Sequence, residues 1–84
     1  MQQHIYYTKC ALQFADMQIT ELVISFNHEV KNQGWSSMRA YHDQALIDEF
    51  LRRGVDVSAV YDGKAIIFAH PVRYNLSNNR LELL

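Results

Sequence analysis

DQALIDEFLRRGVDVSAVYDGKAIIFA, residues 43–69, reads as a short amphipathic helix, a glycine stop and a tight β-hairpin. Asp43 suits an N-cap, because its carboxylate can accept from free first-turn N–H groups and complements the positive end of the helix dipole. Leu46, Ile47, Phe50 and Leu51 then fall on one face at helical spacing, with Gln44, Asp48, Glu49 and Arg52 on the other. Arg52 and Arg53 occupy the last turn, where cations are favoured, and Gly54 supplies the left-handed residue that ends a helix. From Val55 to Tyr61, Val55, Val57, Ala59 and Tyr61 alternate against Asp56, Ser58 and Val60. Asp62-Gly63 is a preferred pair for a two-residue type I′ turn. That turn would set Tyr61 opposite Lys64, Ala59 opposite Ile66, Val57 opposite Phe68 and Val55 opposite His70.

Working outward, His4 to Thr8 is β-branched and aromatic and is expected to be a first strand. Asp16 to Gln33 carries a helical stripe of Ile19, Leu22, Val23, Phe26 and Val30, with Asp16 as a cap and Gly34 as a stop. The same segment also alternates tolerably as a strand, so a hairpin in place of this first helix is the alternative, although it would turn Ile19 and Val23 to the wrong face. After the hairpin, Pro71 marks a break, Val72, Tyr74 and Leu76 alternate with Arg73, Asn75 and Ser77, Asn78-Asn79 makes a turn, and Arg80 to Leu84 returns as a last strand. The expected fold is a single small two-layer α+β domain over residues 1–84: an N-terminal strand, two helices, then an antiparallel β-meander.

Composition excludes several function classes. Eight basic against nine acidic residues leave a formal net charge of −1, so no broad basic field advertises nucleic acid or a membrane surface. No apolar run reaches the length of a membrane span and no leader pattern opens the chain, which is expected to be cytoplasmic. Cys10 is the only cysteine and reads as a small hydrophobe. His4, His28, His42 and His70 are scattered without a metal-binding spacing, and the His28-Glu29 and His42-Asp43 neighbours point apart on either element, so no metal site or cofactor is expected.

The constellation that could carry chemistry gathers His70, Arg73 and Tyr74 at the hairpin exit with Arg52 and Arg53 at the helix end. Sharing one rim, a histidine, arginines and a tyrosine could bind phosphate or stabilise a phosphoryl transition state. The plainer reading makes the arginines a charged helix end and strand face, and His70 and Tyr74 the finish of the core.

The opening Ile5-Tyr6-Tyr7-Thr8-Lys9-Cys10-Ala11-Leu12, a short strand running into Thr, two residues and Ala, resembles that of the small ribonuclease toxins of bacterial toxin–antitoxin pairs. The expected order of elements is similar too. The resemblance implies an RNA-cleaving role resting on His70, Arg73 and Tyr74, but the basic loop those toxins carry before their hairpin has no counterpart at Gly54-Val55-Asp56-Val57.

The leading expectation is a non-enzymatic protein that works by binding another protein, as a homodimer with itself or with a different partner. Its motive is the hairpin's second face, where Val60 and Ile67 need cover, with Trp35 as a further aromatic anchor. The toxin-like ribonuclease is the alternative. A winged nucleic-acid-binding module ranks third, because the helix before the hairpin sets Asp48 and Glu49 against its arginines.

Overall fold

The computed structural model describes residues 4–32, 34 and 36–84. Among the described residues, three helices precede a two-stranded antiparallel sheet: α1 (Ile5–Ala15), α2 (Ile19–Lys31), α3 (Ser37–Arg52), β1 (Val72–Asn75) and β2 (Arg80–Leu83). The protein is thus an α+β domain, with an order of elements that differs from expectation at its start and between α3 and β1, where isolated bridges stand in place of a hairpin.

The segment expected to be the first strand is the first helix. Local β propensity of Ile5, Tyr6 and Tyr7 loses to a stripe at helical spacing, in which Cys10 and Phe14 are buried and Tyr6, Tyr7 and Ala11 pack beside them. His4 caps the helix, its Nδ1 accepting from the Tyr6 N–H at 3.1 Å. The helical reading of the next segment holds: α2 buries Leu22 and Phe26, with Ile19, Val23 and Val30 packed against the core. Its cap is Gln18 rather than Asp16, which instead ends α1.

α3 begins earlier than Asp43. Ser36 is the N-cap, its Oγ accepting from the Arg39 N–H at 3.1 Å, and Asp43 sits buried inside the helix. At the other end the expected glycine stop is a full Schellman motif. Gly54 has φ 75°, its N–H reaches the Leu51 carbonyl at 2.9 Å, and the Val55 N–H reaches that of Phe50 at 3.0 Å. Ala45, Leu46, Ile47 and Phe50 are fully enclosed, whereas Leu51, assigned above to the apolar face, is exposed.

The tight hairpin does not form. Val57 to Tyr61 closes into a helical turn in which the Val60 and Tyr61 N–H groups both reach the Val57 carbonyl at 2.9 Å. Tyr61 then pairs with Ile66, two residues beyond the expected Lys64. Asp62 explains the longer loop: its Oδ1 accepts from the Lys64 and Ala65 N–H groups, each at 2.8 Å, a local alternative to the I′ turn. Val60 consequently turns inward and is fully buried, so it is a core residue and not part of an open interface. Ile67 remains exposed, and Trp35 lies outside the described residues.

The last hairpin forms with a shorter first strand and a longer loop than read: β1 ends at Asn75, residues 76–79 make the turn in place of Asn78-Asn79 alone, Leu76 is exposed, and Val72 lies opposite Leu83 and Tyr74 opposite Leu81. Val72 and Leu81 enter the core, while the opposite face is charged, Glu82 pairing with Arg73 and Arg80. Asn27 of α2 docks β1 by mimicking a neighbouring strand: its amide donates to the Val72 carbonyl at 2.9 Å and accepts from the Val72 N–H at 2.8 Å. α1 packs on α3, and α2 on both β1 and α3, so Phe26, Phe50, Leu22, Leu46 and Ile47 share one core with the sheet.

Candidate functional site

The expected rim is not assembled as one site. Arg73 and Tyr74 are consecutive on β1 and point to opposite faces; Arg73 pairs with Glu82, and Tyr74 donates to Asn79 Oδ1 at 2.5 Å. His70 is exposed, ahead of the strand. Arg52 and Arg53 both reach Glu49 Oε2 at 2.5 Å, and Glu49 is buried. Arg53 also donates to the carbonyls of Phe14 at 3.0 Å and Met17 at 2.6 Å, joining the end of α1 to the end of α3. Arg52 and Arg53 thus sit at the helix end and Tyr74 packs on the core, as in the plainer reading, whereas His70 is exposed and does not finish the core.

A different group of charges comes together between α2 and α3. Glu29 and Asp43, both buried, face each other across Arg39 and His42. Arg39 Nε lies 2.7 Å from Glu29 Oε2 and 3.3 Å from Asp43 Oδ2. Its terminal nitrogens are engaged elsewhere: Nη1 reaches the Asn32 carbonyl at 2.7 Å as well as that of Gly34, and Nη2 the Glu29 carbonyl at 2.9 Å. The guanidinium thus closes the C-terminus of α2 and covers the Phe68 ring, 5.5 Å from its centroid.

The other oxygen of each carboxylate turns to His42. Nδ1 is 3.1 Å from Asp43 Oδ1 and 3.4 Å from Glu29 Oε1. Acceptance of the ring's hydrogen bond by the Asp43 carboxylate raises the His42 pKa above its ordinary value, with the Glu29 and Asp43 charges adding to it while burial and Arg39 oppose it. Arg39 Nε is close to Glu29 Oε2 without the alignment of a hydrogen bond, so this buried oxygen has charge beside it but no donor. Two clefts adjoin the group. One of about 210 Å³ is bordered by Ile24, His28, Glu29 and His42, and another of about 490 Å³ by Arg39, Asp43, Lys64 and Phe68.

None of Glu29, Arg39, Asp43 or His42 belonged to the expected rim. The signal was present in part, as the His42-Asp43 pair, but neighbouring side chains on a helix were expected to diverge. Here the aspartate curls back to its neighbour, and Glu29 closes the group from a different helix.

The second conspicuous surface is on α1. Of its eleven residues, IYYTKCALQFA, only Lys9 is charged. Cys10 and Phe14 turn inward, while Ile5 and Leu12 point outward, 75% and 67% exposed. Helical geometry puts them on one stripe, seven residues and about 10.5 Å apart along the axis. No helix among the described residues is long and apolar enough to cross a membrane.

No family model, curated protein or solved structure matches this chain.

Proposed function

We propose that the chain is a small protein-binding domain that works by self-association, the outer face of α1 meeting the same face of a second copy. The supporting observation is the pair Ile5 and Leu12, exposed on the side of α1 opposite the buried Cys10 and Phe14, with Thr8 and Lys9 between them on the same stripe. The spacing also suits a twofold axis. In an antiparallel pair crossing midway between the two positions, Ile5 of one copy meets Leu12 of the other, the reverse contact repeats by symmetry, and the Lys9 side chains beside the axis splay outward to keep their charges in water. A net charge near zero sets no long-range repulsion against such a pair.

Light scattering coupled to size exclusion, at two protein concentrations, tests this. The wild type is expected to run at twice the chain mass of 9.8 kDa and Leu12→Lys at the chain mass, with unchanged helical circular dichroism. A wild type that is monomeric at both concentrations refutes the reading.

A further inference from the structure

We propose that Glu29 Oε1, Asp43 Oδ1 and His42 Nδ1 form a binding site for a first-row divalent cation of the zinc type. One ligand atom from each of the three residues lies within 4.8 Å of the others, and His42 Nδ1 is 3.1 Å from Asp43 Oδ1 and 3.4 Å from Glu29 Oε1. Zinc holds nitrogen and carboxylate oxygen at about 2.0–2.2 Å, so tetrahedral ligand atoms stand roughly 3.3–3.5 Å from each other. The His42 contacts are close to that spacing before any ion enters.

Arg39 supplies the outer support that such a centre requires. It takes Glu29 Oε2 and Asp43 Oδ2, the two oxygens that face away from His42, and its terminal nitrogens are fixed on backbone carbonyls of the α2 end. Each carboxylate is thereby oriented by one oxygen and left with the other for the ion. The Glu29 side chain is nine-tenths buried; its Oε2 has the Arg39 charge beside it but no hydrogen-bond donor, so the carboxylate as a whole is under-satisfied, and its Oε1, on the His42 side, is the oxygen left to an ion. The cleft bordered by Ile24, His28, Glu29 and His42 gives the ion a way in and leaves room for water to complete its coordination. An imidazole with two carboxylates favours zinc and its neighbours over calcium or magnesium, which take oxygen alone.

Isothermal titration of the full chain with zinc chloride in a chelator-free buffer tests the site, alongside the histidine ring resonances of the wild type in the same titration. The expected result is one ion per chain, with the His42 ring signals shifting. His42→Gln should weaken uptake roughly tenfold or more, while His4→Ala and His70→Ala bind as the wild type does. The ring signals are read on the wild type, so a poorly folded His42→Gln does not obscure the answer. No uptake at saturating zinc, or uptake that moves other histidines and leaves the His42 ring unshifted, overturns the proposal.

Discussion

Arg52 and Arg53 are chain neighbours that share one carboxylate yet carry different weight. Arg52 is exposed and rests on Glu49 alone, so Arg52→Ala should leave the urea midpoint close to that of the wild type, as the loss of exposed pairs does. Arg53 is mostly enclosed, and its loss would strip the Phe14 and Met17 carbonyls of a charged donor as well as half of Glu49's neutralisation. Arg53→Ala should therefore cost roughly 2–4 kcal/mol, read as the shift in urea midpoint between the two variants. Glu49 adds a pH dependence. Arg52, with Arg53, holds its carboxyl below the usual carboxylate range, against the opposing effect of burial. With the folded value depressed, the stability it contributes is complete above the unfolded value of about 4.3 and is lost as pH falls through the folded one. Midpoints measured from neutral to acid pH should fall more steeply for the wild type than for Glu49→Gln.

At the scale of elements, the joint between α2 and β1 rests on one side chain. A strand at the edge of a two-stranded sheet leaves backbone groups without a ladder, and Asn27 satisfies both of those on Val72. Asn27→Ala would leave that N–H and carbonyl to compete for water at a half-buried site, at about 1–3 kcal/mol. Hydrogen exchange should locate the effect, with the Val72 amide losing protection and the Leu46 and Phe50 amides of α3 keeping theirs. Retained protection at Val72 would place the docking of β1 in core packing instead. The α3 stop is the counterpart legible in sequence. Arg52, Arg53 and Gly54 fall where a helix end needs them, and Gly54 adopts the left-handed backbone that its residue type admits at least cost.

For the whole molecule, self-association through Ile5 and Leu12 of α1 and zinc uptake by Glu29, His42 and Asp43 use different residues, so dimer formation and zinc uptake are separable properties. Leu12→Lys should abolish the first and leave the second. As a complete molecule, the domain owes to sequence alone what is enforced within a few residues. The α2 stripe and the Schellman end of α3 are settled by apolar period and glycine backbone freedom, and strand alternation places a last hairpin after Pro71 but not its loop or register. Tertiary structure decided the rest, because there local preference met a longer-range competitor. Ile5-Tyr6-Tyr7 prefers a strand in isolation, yet the enclosure of Cys10 and Phe14 against α3 outweighs a fraction of a kcal/mol per residue of propensity. Val60 alternates as an outward residue, but the Asp62 turn and the turn from Val57 rotate it into the core. Asp43 has the chemistry of a cap and is held inside a helix by Arg39. The Glu29, Arg39, His42 and Asp43 group was beyond sequence for the same reason: its parts lie on two helices, and only the packing of α2 on α3 converts them into neighbours.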